Sequence, residues 1–379
     1  MKKNILILGH NDATQFIDVY NQYNKLFDKD QYHVTVAILT GPDNQQTRER
    51  LLADEIIFFD FSKKRIRGLK IGPLLKLYQL CRQKKFQIVI CHRYKSIYMM
   101  LWIAQICPIP SLFFVMHALD TLKNYARQCL ITCLYRKNMF FVGVSHAVRD
   151  DMQKCLQYIP KERVITLYNM IDLELTLPCY LTKIAAREQL NLPQDIFIFG
   201  QLARLVPDKD QRTLIHAFAA FKHLHPNAQL VIAGTGRLEA ELKALTASYQ
   251  LEKDILFPGY IENGAHCMRA FDCFVLSSVE EAFGRVLLEA MAAHCPIIAT
   301  RAHGIPEVVG EHGLLINPGD VAALTHAMKT IYEQSKIERE KMCTVAYEHL
   351  IENFSIPTFQ KQFWQIAHPL RVDDGAKRV

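Results

Sequence analysis

The chain has 379 residues, half of them hydrophobic, which is enough for two domains with substantial cores. Its eleven cysteines are odd in number and form no Cys-x-x-Cys pair, which argues against a disulfide framework and for a reducing compartment. The net charge of +7 is uneven, +10 over residues 1–178 and −3 over the rest, and no nucleic-acid-binding module accompanies it, so nucleic acid is not the expected partner.

The chain opens Met-Lys-Lys-Asn-Ile-Leu-Ile-Leu-Gly-His, an apolar run too short for a signal peptide and suited to a first strand at 4–8. Further strands are predicted at 33–39, 56–59, 87–91, 112–116, 139–144 and 164–167, with helical stretches between most of them. Between Phe61 and Lys95 stand eleven basic residues and no acidic one: Lys63, Lys64, Arg65, Arg67, Lys70, Lys76, Arg82, Lys84, Lys85, Arg93 and Lys95. Within this stretch Ile71, Leu74, Leu75, Tyr78 and Cys81 fall at helical spacing and are expected to form an apolar face. Either a solvated basic face or a surface for anionic lipid or an acidic acceptor fits that pattern. Residues 97–119 carry no charge and are long enough to cross a bilayer, but Pro108 and Pro110 would break such a helix in its middle. A buried helix, a turn and a core strand from Ser111 to Met116 are expected instead.

After Asp172 the pattern turns irregular over 175–182, then restarts with strands at 196–200, 230–233, 255–257, 274–276, 296–299 and 314–316. Two such series imply an α/β protein of two doubly wound Rossmann-like domains, with ligand sites at the carboxyl ends of the strands and a cleft between facing edges. The expected boundaries are 1–178 and 179–356, with 357–379 as a terminal helix and tail.

One stretch organises the second series. Strand Cys273–Leu276 runs into Ser277-Ser278-Val279-Glu280-Glu281-Ala282, and a helix is expected to open with Phe283, Gly284 and Arg285. A helix start presents backbone N–H groups and the positive end of the dipole, a natural seat for an anion. Glu281 before it and Glu289 inside the helix bracket that seat with carboxylates. A ligand that carries both phosphate and hydroxyl groups suits this arrangement, and a nucleotide sugar is one.

The same residues resemble the Glu-x7-Glu segment of retaining glycosyltransferases of the GT-B fold, family 4 (glycosyl transferases group 1). There the segment reads roughly Ser-x-x-Glu-Gly-Phe-Gly, a short apolar run, then Glu-Ala-Met-Ala. Here Ser278, Glu281, Phe283 and Gly284 precede Glu289-Ala290-Met291-Ala292, and Ala282 replaces the usual Gly. Gly200-Gln201-Leu202-Ala203-Arg204 and Lys209 resemble the family's strand-end loop, whose arginine and lysine hold the donor's diphosphate; Asp210 replaces the usual following Gly. Further matches are Phe257-Pro258-Gly259-Tyr260, Gly304-Ile305-Pro306-Glu307-Val308-Val309, Val144-Ser145-His146-Ala147-Val148 and Tyr168-Asn169-Met170-Ile171-Asp172. The family's Gly-Gly loop after the first strand is here Gly9-His10-Asn11-Asp12, in which Gly9 can still let backbone approach donor phosphates.

The resemblance implies a retaining glycosyltransferase that moves a hexosyl group from a nucleotide-diphosphate sugar to a glycan or glycolipid hydroxyl, with a lipopolysaccharide core or lipid-linked glycan as acceptor. Arg204, Lys209 and the N–H groups around Phe283, Gly284 and Arg285 would stabilise the leaving diphosphate. Glu281 would orient the sugar, Glu289 would hold the ribose, and His117, at the end of strand 112–116, would meet the sugar; His92 stays unassigned. No cofactor or metal is expected, since side-chain cations take that role and there is no Asp-x-Asp motif. The last helix, with 359–366 as candidate, would cross back to the first domain. Residues 63–85 are expected to meet an anionic membrane, which places the protein in the cytoplasm or peripherally on the inner membrane face. A GT-B nucleotide-sugar epimerase and a non-catalytic scaffold remain the alternatives.

Overall fold

The computed structural model describes residues 2–62 and 71–367. Seven strands form the first sheet: β1 (Lys3–Asn11), β2 (Tyr32–Thr40), β3 (Glu55–Phe58), β4 (Ile88–His92), β5 (Ser111–Met116), β6 (Met139–Gly143) and β7 (Val164–Thr166). Six form the second: β8 (Phe197–Leu202), β9 (Ala228–Ala233), β10 (Ile255–Leu256), β11 (Cys273–Leu276), β12 (Ile297–Thr300) and β13 (Leu314–Ile316). All pairs within the sheets are parallel. β4, β5, β6, β11 and β12 are buried along their whole length, as strands covered by helices on both faces must be, and so they read as unbroken apolar runs.

The order of the first sheet is β3-β2-β1-β4-β5-β6-β7 and that of the second is β10-β9-β8-β11-β12-β13. The winding therefore reverses between β1 and β4 in one sheet and between β8 and β11 in the other. At such a point the connections on either side leave in opposite directions, and a crevice opens at the carboxyl ends of the two strands. The charge-free span resolves into the helix Tyr94–Ile103 and strand β5, and among the described residues no helix is long and apolar enough to cross a membrane.

The contacts divide the chain into two units: the residues up to Asn169 together with the helix Ile356–Ala367, and Met170–Ser355. The boundary thus falls earlier than the expected 178. The reason is local pairing: the Ile171 N–H donates to the Phe354 carbonyl at 2.9 Å, Ile171 bridges to Ser355, and the buried Tyr180 donates its hydroxyl to the Glu289 carbonyl at 2.8 Å. Helix Ile356–Ala367 lies on the first unit. Its buried Phe359 and Phe363 meet Tyr23 and Phe113 at ring distances of 5.1 and 4.9 Å, and the Trp364 indole donates to the Leu26 carbonyl at 3.1 Å. Burying each phenylalanine contributes roughly 1.5–3 kcal/mol.

The helix Ile71–Lys84 corrects one expectation. It buries Pro73, Leu77, Leu80 and Cys81, whereas Ile71 and Leu75 are exposed. Apolar residues occur all round this helix, so spacing alone could not choose the buried face. Of the basic stretch, Lys63, Lys64, Arg65, Arg67 and Lys70 lie outside the described residues. Lys84 pairs with Glu55 at 2.9 Å, and the Lys76 ammonium lies over the Phe61 ring at 5.8 Å.

Candidate functional site

In the second unit the chain leaves β8 through Ala203, Arg204 and Leu205 and makes a 3-10 turn, Pro207–Lys209. Asp210 then takes a left-handed conformation with φ 43° and caps the helix Gln211–Leu224 by accepting from the Thr213 N–H at 3.3 Å. The family's glycine at this position has a clear reason, and aspartate is among the few side chains that tolerate the same backbone.

The loop after β11 is stitched to this one. The buried Ser277 hydroxyl lies 2.8 Å from the Lys209 carbonyl and 3.0 Å from that of Asp210, and it accepts from Gln201 Nε2 at 3.0 Å. The Val279 N–H donates to the Asp208 carbonyl at 2.9 Å. With both backbones held, the Lys209 ammonium and the Glu281 carboxylate meet as an ion pair that is mostly shielded from solvent. Arg204 lies on the same loop five residues before Lys209, its carbonyl fixed by Gln211 Nε2 at 3.0 Å, and it is exposed.

A third segment braces Glu281 from behind. The Gly304 N–H donates to the Glu281 carbonyl at 3.0 Å, and a Cβ on Gly304 would collide with the carbonyl oxygen of Ala282. Gly304 has φ −80°, open to any residue, so close approach and not backbone shape requires glycine here. Ala282 is absent from the positive-φ positions, so its replacement of glycine carries no left-handed strain.

The helix begins at Arg285, two residues later than expected, and Gly284 caps it at φ 88°. A glycine brings no side-chain oxygen to the first turn, which keeps the anion seat open to a ligand. Phe283 points into the core and meets Phe354 edge-on at 5.7 Å, so only its backbone can serve the site. Leu287, Leu288, Ala290 and Met291 bury the opposite face of the helix and leave Glu289 half-buried. The arrangement can bind an anion through Lys209, Arg204 and the helix start, and hydroxyl groups through two carboxylates.

In the first unit the strand ends at the reversal carry different chemistry. β1 runs on to Asn11, so Gly9 and His10 are strand residues and not part of a loop. A Cβ on Gly9 would collide with the hydroxyl of Tyr20, whose buried ring lies against it and whose O–H donates to the Asn11 carbonyl at 3.0 Å. Packing thus accounts for Gly9.

β4 ends at His92, which is fully buried, and β5 is followed by His117; His92 Nδ1 lies 3.0 Å from His117 Nε2. Phe16 meets His117 edge-on at 5.5 Å, and the Arg93 guanidinium lies over Phe16 at 4.9 Å. Arg93 itself has φ 71°. His10 is held down to about 4, chiefly by burial and then by the charges of Arg93 and Lys95. Burial pushes His92 well below the usual histidine range, with His117 adding to the effect.

The second-unit candidates Arg204, Lys209, Glu281, Gly284, Arg285 and Glu289 therefore gather around β8 and β11. Gly9 and His117 lie at the strand ends of the first. Gln201 and Ser277, which fix the loops, were missed, although two polar residues ending apolar strands were a signal. His92 stood out only by its place at a strand end.

The model for Glycosyl transferases group 1 matches residues 182–349, and that for Glycosyltransferase Family 4 matches residues 24–175. The N-acetylgalactosamine-N,N'-diacetylbacillosaminyl-diphospho-undecaprenol 4-alpha-N-acetylgalactosaminyltransferase of Campylobacter jejuni is 30% identical over 236 residues, 62% of this chain and 60% of that protein. The lipopolysaccharide core biosynthesis glycosyltransferase LpsE of Rhizobium meliloti is 28% identical over 182 residues, 48% of this chain and 52% of that protein. The matched part thus spans between about half and three-fifths of these two relatives. Among solved structures, Anabaena Alr3699/HepE in complex with UDP superposes with a TM-score of 0.79 at 19% identity, covering 97% of this chain and 100% of that one, a likeness of fold. Two parallel Rossmann-like sheets and two family models that together take in most of the chain place it: this protein belongs to the family-4 type of GT-B glycosyltransferases.

Proposed function

We propose that the protein is a retaining glycosyltransferase of the hexosyl type, which takes its sugar from a nucleotide-diphosphate donor and gives it to a lipid-linked or lipopolysaccharide-core glycan. The observation that carries this reading is the meeting of Lys209 and Glu281 beside the glycine-capped start of Arg285–Ala292, at the point where the second sheet reverses. The acceptor class rests on the relatives, one named for a diphospho-undecaprenol substrate and one for the lipopolysaccharide core. The donor class has the support of a UDP-bound structural neighbour.

On this reading the bond from the anomeric carbon to the diphosphate breaks as negative charge gathers on the leaving oxygen. Lys209, Arg204 and the helix N–H groups stabilise that charge, with no reorganisation needed at the moment of reaction. The acceptor oxygen forms its bond to the anomeric carbon on the face that the diphosphate leaves and gives its proton to the leaving oxygen, so no protein nucleophile is required. Glu281 orients the sugar, Glu289 holds the ribose, and His117 is assigned to the sugar. Because side-chain cations face the diphosphate, we assign no role to a metal.

We further propose that residues 63–85 dock on anionic lipid. The exposed Ile71 and Leu75 can enter the interface while the basic residues of the stretch meet the headgroups.

The deciding experiment is a donor panel read by nucleotide-diphosphate release, with and without lipid-linked acceptors, followed by NMR of the product's anomeric configuration. Release that depends on acceptor and a retained configuration are expected. Donor turnover without acceptor would mean an epimerase, an inverted product would remove the retaining assignment, and no donor binding would mean a scaffold.

A further inference from the structure

The contact between His92 and His117 determines more than their proximity. A neutral imidazole has one N–H donor and one bare acceptor nitrogen, so a contact of 3.0 Å between His92 Nδ1 and His117 Nε2 needs the proton on one of the two. In the first arrangement His92 Nδ1–H donates and His117 Nε2 accepts. In the second, His117 Nε2–H donates and His92 Nδ1 accepts.

The far nitrogen of His92 separates them. His92 Nε2 is buried and has no hydrogen-bond partner among the described residues. Tyr20 and Tyr23 pack on the ring at centroid distances of 5.4 and 4.7 Å, with Tyr23 edge-on. In the second arrangement Nε2 would carry a buried N–H with nothing to accept it. In the first it is only a bare lone pair. Orphaned buried N–H groups are the rarer and costlier of the two. Burial also keeps His92 uncharged, so a doubly protonated ring does not offer a third arrangement.

We propose that His92 is a positioning residue that fixes His117 as the Nδ1–H tautomer, so that His117 presents a hydrogen-bond donor and not a base to the ligand it meets. The assignment of that ligand as the donor sugar rests on the function proposed above; the tautomer does not. A donor at this position suits an acceptor group such as a sugar hydroxyl oxygen. It also removes His117 as the group that would deprotonate the acceptor.

Long-range 1H–15N correlation spectra of the histidine-labelled protein test this, with His117 assigned by the loss of its signals in His117→Gln. The wild type should show a protonated-type Nδ1 and a bare-type Nε2 on His117. His92→Phe keeps a ring between the tyrosines but removes the donor, and His117 should then shift to the Nε2–H form. His92→Asn places an amide N–H near the former Nδ1 and should restore the wild-type pattern. Transfer should follow the spectra. One lost hydrogen bond corresponds to about a 5- to 10-fold fall in kcat in His92→Phe, with most of it recovered in His92→Asn and nucleotide-diphosphate affinity unchanged in both.

An Nε2–H tautomer in the wild type overturns the proposal, and so does an Nδ1–H tautomer that persists in His92→Phe. Unchanged transfer in His117→Gln would instead remove His117 from the sugar site, while the spectra would still decide the tautomer.

Discussion

The strand ends at the two sheet reversals are built from opposite materials. In the second unit the charged candidates Arg204, Lys209 and Glu281 sit on segments locked to one another through backbone carbonyls and amides, and Arg285 and Glu289 lie on the helix that follows. In the first unit the ends of β4 and β5 hold two histidines, and two buried tyrosines and a phenylalanine pack against them ring against ring, with cations at the margin. The first kind of site suits charge that develops during reaction. The second suits an uncharged, hydroxyl-bearing group that must be oriented. Similar doubly wound sheets thus carry different chemistry because different side chains stand at their strand ends and on the elements that follow.

The sharpest way to break this comparison is to remove charge from the second unit. Arg204→Ala or Lys209→Ala should lower turnover by about 10²-fold or more, as for other preorganised groups that meet developing charge. Single-turnover kinetics on folded variants is the measurement. Near wild-type rates in both would move the diphosphate elsewhere.

Glycine to alanine changes should separate the two units by what they collide with. In Gly9→Ala the new methyl meets the Tyr20 side chain, and in Gly304→Ala it meets the Ala282 carbonyl, which is backbone. Overpacking of this kind costs about 1–3 kcal/mol. The first loss should be partly recovered by adding Tyr20→Leu, whereas no side-chain trim is available at Gly304. Urea unfolding of the three variants checks this. A Gly9→Ala protein of wild-type stability would show that packing against Tyr20 is not what requires glycine at this position.

The two units were not equally legible in the sequence. The strands were, because a parallel strand buried on both faces is an apolar run whatever lies beside it, and expected and observed ends differ by no more than three residues. The second-unit site was also legible. Glu281, Gly284 and Glu289 lie within one strand-turn-helix segment, where local spacing fixes what the fold brings together. The pair of His92 and His117 is 25 residues apart and comes from two neighbouring strands. Nothing in local spacing marks it, and only the register of β4 on β5, with His92 opposite Val115, brings the second histidine within reach. The tyrosine that requires Gly9 lies on the following helix, a fact of packing that no motif encodes.

A smaller effect should sharpen the role of charge in the second unit. Glu289→Gln should weaken nucleotide-diphosphate binding by about 10-fold, the loss of one charge-assisted hydrogen bond to a ribose that is bound throughout the reaction. Glu281→Gln should leave that affinity unchanged or raise it, because the free protein already pairs Glu281 with Lys209 and the substitution releases the lysine for phosphate. Transfer should nevertheless fall. Calorimetric titration of both variants decides it, and an equal loss of affinity would show that the carboxylates do not divide their work.

The smallest effect is expected where this chain departs from its family's pattern, at Asp210. Its backbone has φ 43° and ψ 51°, a region that glycine enters freely and other L-residues enter at a cost. Its side chain offsets that cost by capping the helix through Thr213, over a long 3.3 Å contact. Asp210→Gly relieves the backbone, loses a cap worth a few tenths of a kcal/mol relative to glycine, and loosens the unfolded chain. These terms nearly cancel, so stability should change by no more than about 0.5 kcal/mol. Asp210→Ala keeps the strained backbone and removes the cap, and should cost about 1–2 kcal/mol. Denaturant midpoints of the two variants make the comparison. If glycine proved as costly as alanine, the cap and not the backbone would be what aspartate supplies, and the family's glycine would need another reason.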